Sequence, residues 1–188
     1  GERSHRSARV LAQDASTHIG KVLRIHPQGQ AWDNAIGIEG ALPEIWSYGH
    51  RNVQGAALDA KGQLWTIEHG PRGGDELNRP QPGLNYGWPV ISYGTEYSGF
   101  DVGKGLTAQD GMEQPLYYWD PVIAPSGMVF YEHDLFSDWR GSILIGALAG
   151  QSLVRLTLEG DRIRGSARYI EGSARIRDVD VAQDGAAR

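Results

Sequence analysis

Hydrophobic and polar residues along this chain alternate in short runs, most of them closed by a glycine or proline. Residues 20–30 (GKVLRIHPQGQ) and 151–161 (QSLVRLTLEGD) share one plan, an alternating segment followed by a turn, and match when Arg24 is set on Arg155 and Gly29 on Gly160. A second pair, residues 56–62 and 179–185, repeats the plan with turns at Gly62 and Gly185. Period-two alternation puts one side of a strand against a core, and glycine supplies the backbone freedom of the turn. Further strands are predicted at Gln63–Ile67, Gly127–Tyr131, Ser142–Ala147 and Arg162–Ile170, bounded by Pro125, Gly141, Gly160 and Gly172. No segment carries a convincing helical stripe. The repeats are far enough apart for several four-stranded units of about 40–50 residues.

The pattern predicts an all-β chain of antiparallel units. After Gly62 the chain runs on into a strand, whereas after Gly185 it stops at Arg188, so the last hairpin is expected to lack its second half. Residues 1–188 are therefore expected to form one partial domain, truncated at both ends. Residues 93–113 are long, polar and glycine-rich, yet contain Tyr97 and Phe100. They predict an ordered excursion from the scaffold that folds over a ligand.

Composition narrows the function. A hydrophobic share of 40% supports a real core, and 26 glycines with 9 prolines favour many turns. A formal charge of −5 without a dense basic run argues against nucleic acid. The absence of cysteine excludes disulfides and thiolate metal sites and leaves the compartment open. No apolar run approaches the roughly 20 residues of a membrane-spanning helix, and GERSHRSARV lacks the apolar core of a secretory signal.

Chemically capable residues concentrate between Gly49 and Pro89. Arg51-Asn52, Glu68-His69-Gly70-Pro71 and Asp75-Glu76 fall where hydrophobic runs stop or pause, as loop-borne site residues do. Arg175 and Arg177 lie two apart, so on a strand they would present parallel guanidinium forks to a ligand with several carboxylates. A solvated strand face with an ion pair to Asp178 is the plainer alternative and, on spacing alone, the commoner one. Asp75 and Glu76, with carbonyls in the Gly70-Pro71 turn, suit a hard cation such as calcium, although two adjacent carboxylates are more often a solvated turn. None of the six histidines has the spacing of a helical zinc site. The nucleophile elbow, the phosphate-binding loop and the dinucleotide fingerprint are all missing.

Taken together, Gly49-His50-Arg51-Asn52, Glu68-His69-Gly70-Pro71, Asp75-Glu76-Leu77-Asn78 and Asn85-Tyr86-Gly87-Trp88-Pro89 closely resemble the soluble quinoprotein glucose and aldose sugar dehydrogenases. Ala12-Gln13-Asp14, Thr17-His18-Ile19-Gly20-Lys21, Ala124-Pro125-Ser126 and Arg175-Ile176-Arg177-Asp178 extend the likeness over nearly the whole chain. The resemblance implies a six-bladed β-propeller of four-stranded antiparallel blades, with this chain supplying roughly the C-terminal half, about three blades. It implies oxidation of aldose sugars at the anomeric hydroxyl by hydride transfer to pyrroloquinoline quinone (PQQ), with calcium assisting, in the periplasm or outside the cell. By position, Arg51, Asn52, His69, Asp75, Tyr97, Arg175 and Arg177 match cofactor-binding residues. Gly70 and Pro71 match carbonyl ligands of the cofactor calcium, and Glu76 and Tyr86 match a second, structural calcium.

Two departures accompany the likeness. The histidine that acts as general base in the family has no counterpart here, so the 188-residue chain alone is expected to be inactive. Ala149 stands where the family commonly has a cofactor-binding lysine, a loss for which Arg72 is the candidate substitute. A non-catalytic extracellular binding module that has lost the cofactor, and a calcium-stiffened scaffold, are the competing readings. The expected partners are a sugar and an external electron acceptor; a homodimer is left open.

Overall fold

The computed structural model describes residues 5–32, 34 and 36–188. A single α-helical turn, α1 (Arg6–Arg9), runs into a 3-10 turn (Val10–Gln13), a second 3-10 turn spans Ser137–Trp139, and the remaining elements are strands. These are β1 (Lys21–Leu23), β2 (Ile45–Tyr48), β3 (Val53–Leu58), β4 (Leu64–Glu68), β5 (Asp75–Asn78), β6 (Tyr117–Trp119), β7 (Pro125–Tyr131), β8 (Ser142–Ala147), β9 (Ser152–Glu159) and β10 (Arg162–Tyr169). The all-β expectation is met. Each of the runs β3–β6 and β7–β10 forms a four-stranded antiparallel sheet with neighbours in chain order, whereas β1 and β2 pair only with each other. Three four-stranded units were expected; two four-stranded sheets and one two-stranded sheet are present among the described residues.

The alternation read from the sequence settles which face each strand buries. In β8 all six residues are buried, but they divide between two cores. Ile143, Ile145 and Ala147 join Trp65, Ile67, Leu77 and Trp119 in a cluster between the two four-stranded sheets. Leu144 faces the other way, toward Tyr131, Leu153 and Val179. Period two thus lets one strand serve two cores at once. The outermost strand, β10, is half solvated, and its pairing with β9 slips between Ile163 and Gly165.

The sheets meet along their first strands. A Cβ on Gly55 of β3 would lie 2.7 Å from the Ser126 carbonyl of β7, so glycine is what lets these two backbones approach. The segment entering β7 lies beside the polar motifs that follow β4, through contacts of Pro125 with His69 and of Ile123 and Ala124 with Asp75.

The second sequence repeat is a true structural repeat. In the turns 59–63 and 182–186 the first residue's N–H donates to the fifth carbonyl, at 3.0 and 2.9 Å, and the glycine N–H donates back to the first carbonyl at 2.9 Å in both. The turn 26–30 has the same two bonds, at 2.9 and 2.8 Å. Gly29 therefore belongs with Gly62 and Gly185 and not with Gly160, which sits in the two-residue connection between β9 and β10. The last hairpin also turns back further than expected, since Asp180 and Arg188 exchange both backbone hydrogen bonds.

Candidate functional site

The turn Gly49–Asn52 between β2 and β3 is built around a buried carboxylate. One oxygen of Glu68, at the end of β4, accepts the N–H groups of Arg51 (2.6 Å) and Asn52 (3.1 Å). The other meets His50 Nδ1 at 3.1 Å and Asn78 Nδ2 at 3.1 Å. Burial opposes the charge on Glu68, but the hydrogen bond and charge of His50 and the two backbone donors outweigh it and hold the carboxyl below its ordinary range. His50 is itself clamped, with Nε2 2.8 Å from Ser47 Oγ and its ring stacked on Tyr86. At Gly49, φ is +77° and a Cβ would meet Asn85 Oδ1 at 2.3 Å, so no other residue fits the turn.

The clamp aims Arg51 along one wall of the site. Its guanidinium donates to the His69 carbonyl at 2.7 Å and lies 5.1 Å from the Trp88 ring. Trp88 is positioned by the Ala12-Gln13-Asp14 motif: Gln13 Nε2 donates to the Trp88 carbonyl at 2.7 Å and to Asn85 Oδ1 at 3.0 Å. Lys21 in turn donates to the carbonyls of Leu11, Ala12 and Ile19, and burial lowers its pKa to about 8. Arg51, Pro71, Trp88 and Tyr97 then line a cavity of about 300 Å³, together with Arg9 and Glu96.

A much smaller cavity, of about 10 Å³, adjoins it through Arg51, Pro71 and Trp88. Gly70, Glu76, Tyr86 and His69 line it too, so the four residues expected to serve two calcium ions share one enclosure. A Cβ on Gly70 would sit 2.2 Å from the carbonyls of both Gly73 and Gly74, which crowds carbonyl oxygens beside this enclosure. Among the described residues no group of three or more His, Asp or Glu side chains converges as a metal site, so a cation here would draw on carbonyls. The Tyr86 hydroxyl is already engaged, donating to the Arg79 carbonyl at 2.7 Å and accepting the Gln81 N–H at 3.1 Å, and burial pushes it up to about 12, so its carbonyl is the better donor to a cation.

Burial pushes the Glu76 carboxyl up to about 8, and repulsion from Glu68 adds to it. The folded chain thus holds a proton that the unfolded chain releases, and stability falls as pH climbs from the ordinary carboxylate range through about 8. Melting temperature without added cation is expected to drop across that window, and Glu76→Gln to flatten the drop. Thermal denaturation at about pH 5 and about pH 8 checks both.

The remaining expected residues occupy a layer behind or beside these cavities. Asp75 gives its carboxylate to backbone: Oδ1 accepts Gly70 N–H at 2.9 Å, and Oδ2 accepts those of Ile123 and Ala124 at 2.8 Å each. Burial raises its pKa although these three donors pull it back. It holds the Gly70 turn to the segment entering β7, where Ala124 adopts φ +49°. His69 Nε2 lies 2.7 Å from the Pro125 carbonyl, which can only accept, so this nitrogen carries the proton; Nδ1 faces Asn52 Nδ2 at 3.4 Å. Asn52 and Asp75 line neither of the two cavities.

Arg175 and Arg177 do not lie on an assigned strand. They are exposed and flank Ile176, whose carbonyl is 2.7 Å from Ser126 Oγ, and they line neither cavity. Residues 173–179 belong to no strand, and backbone pairing resumes only at Asp180, opposite Arg188. Ala149 is exposed, with its N–H bonded to the Ile123 carbonyl. Arg72 is exposed as well; its guanidinium lies near Gly99, and it lines neither cavity. The structure adds Arg9, Glu96 and Trp88, of which only Trp88 had a sequence signal, as part of a matched motif.

Known proteins match this chain over nearly its whole length. The family described as Glucose / Sorbosone dehydrogenase matches residues 1–187. Aldose sugar dehydrogenase YliI of Escherichia coli is 44% identical over 183 residues, covering 94% of this chain and 49% of that protein. A crystal structure of glucose dehydrogenase superposes with a TM-score of 0.91 at 47% identity, covering 95% of this chain and 53% of the other. The PQQ-bound form of aldose sugar dehydrogenase from Streptomyces coelicolor superposes with a TM-score of 0.69 at 33% identity, covering 91% and 45%. The chain thus spans about half the length of the relatives it matches, and no helix among its described residues is long and apolar enough to cross a membrane. Family match, sequence identity over nearly the whole chain and superposition agree: the chain belongs to the glucose/sorbosone dehydrogenase family.

Proposed function

We propose that residues 1–188 are roughly the C-terminal half of a six-bladed β-propeller, one partial domain of a periplasmic or secreted enzyme that oxidises aldose sugars at the anomeric hydroxyl using PQQ and calcium. The observation that carries this reading is the junction of two cavities on one wall: a 300 Å³ space beside a buried arginine and a tryptophan, and a 10 Å³ space beside Glu76 and the Gly70 turn. A volume near 10 Å³ holds about one water-sized occupant. Glu76, with its carboxyl driven upward by burial and by Glu68, is a group that a cation would return to its charged form. The donors therefore fit calcium, and the larger space fits a flat anion with aromatic character.

The quinone, when bound, supplies the acceptor for the hydride leaving the anomeric carbon. The chain's own residues have separate tasks. Arg51 presents a guanidinium to a carboxylate with little motion left to lose, because the His69 carbonyl and Trp88 restrain the side chain and Glu68 holds the backbone N–H. Gly70 and Pro71 offer carbonyl oxygens, and Glu76 offers a carboxylate, to the cation. His69 and Asn52 keep the floor in register with β7. Proton removal from the sugar needs a base from outside these residues, so the 188-residue chain by itself is expected to show no turnover.

Calorimetric titration of the complete protein with PQQ, with and without calcium, tests the reading. Saturable uptake that requires calcium is the expected outcome. No uptake, together with a melting temperature that still responds to calcium, would favour a scaffold that has lost the cofactor.

A further inference from the structure

The ion pair between Arg9 and Glu96, at 2.5 Å, joins two parts of the chain that lie outside the sheets and 87 residues apart. Arg9 closes α1. Glu96 belongs to a small hairpin, Thr95–Asp101, in which its N–H donates to the Phe100 carbonyl at 2.7 Å and its carbonyl accepts Gly99 N–H at 2.8 Å. The base of that hairpin is anchored by two reciprocal backbone bonds between Arg72 and Thr95, each 2.9 Å. Its tip has little packing of its own, since Tyr97 and Phe100 are 73% and 72% exposed. The position of the tip accordingly depends on what grips Glu96.

That grip is firmer than a surface ion pair, because the two side chains keep only 11% and 13% of their surface exposed. The Arg9 guanidinium also lies 5.3 Å from the Trp88 ring, so the pair is held against the same residue that Arg51 approaches. Arg9, Glu96, Trp88 and Tyr97 together wall the 300 Å³ cavity.

We propose that Arg9 is a positioning residue: through Glu96 it fixes the Thr95–Asp101 hairpin, so that Tyr97 stands as a ready-made wall of the cavity. A wall ordered in advance spares a ligand the entropy of ordering it. With the pair broken the hairpin tip samples more positions, and binding must select among them. The kinetic consequence rests on the sugar dehydrogenase reading above; the structural consequence does not.

The experiment compares the complete protein with Arg9→Ala, Glu96→Ala and the charge swap Arg9→Glu with Glu96→Arg. Limited digestion with chymotrypsin, which cuts after aromatic residues, reads the tip directly at Tyr97 and Phe100. Both single variants are expected to be cut there several-fold faster, and the swap to restore most of the protection. For aldose oxidation, KM is expected to rise about tenfold in the single variants while kcat stays within about twofold, with recovery in the swap. Unchanged cleavage in the single variants overturns the proposal, as does faster cleavage with an unchanged KM, which would make the pair a clasp without a role in the site. If the parent protein oxidises no aldose at all, the functional reading fails, while the cleavage comparison still decides whether Arg9 fixes the hairpin.

Discussion

Glu68→Ala is expected to remove about 3–5 kcal/mol of folding stability, because it strips the partner from a buried histidine and leaves two backbone N–H groups facing an empty space. Glu68 is 3% exposed and serves His50, Asn78, and the Arg51 and Asn52 backbone at once. Glu68→Gln keeps the volume and can accept the backbone bonds through one oxygen, yet it withdraws the charge that His50 faces, so it should lose less than alanine without being neutral. Denaturant unfolding of the complete protein measures the loss as a lower midpoint at an unchanged slope. Because Glu76 is pushed upward in part by the Glu68 charge, both replacements should also weaken the loss of stability toward pH 8. That second readout separates the electrostatic role from simple cavity formation.

Arg51→Ala should reduce PQQ affinity by about a hundredfold, within the 2–5 kcal/mol typical when a buried, hydrogen-bonded charge loses its side chain. Arg51 is 5% exposed, oriented by Glu68 below and the His69 carbonyl beside it, and lines both cavities. Arg51→Lys should recover little, since an ammonium has no planar fork for a carboxylate and stacks less well on Trp88. Calorimetric titration measures the affinity, and thermal melting of the same variants shows whether the fold survives. Arg175→Ala and Arg177→Ala make a useful contrast. Both side chains are exposed in the described chain, so a loss as large as that of Arg51 would require them to close on the ligand from beyond the cavities described here.

The hairpins were legible because their signal is local. A glycine at positive φ after an apolar run needs no distant partner to be recognised, and Gly62 and Gly185 form the same turn in space as in sequence. The strand β8 was legible for the opposite reason, since an unbroken apolar run is what burial on both faces demands. The strand β5 was not. Asp75-Glu76-Leu77-Asn78 reads as a polar turn, and only tertiary contacts reveal why it pairs between β4 and β6: Asp75 accepts the N–H groups of Gly70, Ile123 and Ala124, and Asn78 donates its side-chain amide to the Glu68 and Glu76 carboxylates. Short strands of this kind are set by partners remote in sequence.

The site divided in the same way. Arg51, His69, Gly70, Pro71, Glu76, Tyr86 and Tyr97 fall on two joined cavities as a set because their motifs flank consecutive strands of one sheet and its neighbouring loops. Asp75 accepts backbone N–H groups from Gly70, Ile123 and Ala124, and Asn52 accepts from Gln54, partners that residue type cannot convey. Arg9 had no signal at all. Its partner lies 87 residues away, and neither side of the pair sits in a motif with chemistry of its own.

The outer strand β10 has a further consequence for the protein in crowded solution. One side of it pairs with β9, and its other side offers backbone donors and acceptors at the margin of the sheet, where another molecule could add a strand. Arg162, Arg164 and Arg168 are all exposed along this margin, and the slip at Ile163–Gly165 breaks the straight ladder that a foreign strand would need. Two copies approaching margin to margin would bring these arginines together, with only Arg164 partnered among the described residues, by Glu159, so the same strand that ends the sheet discourages edge-to-edge addition.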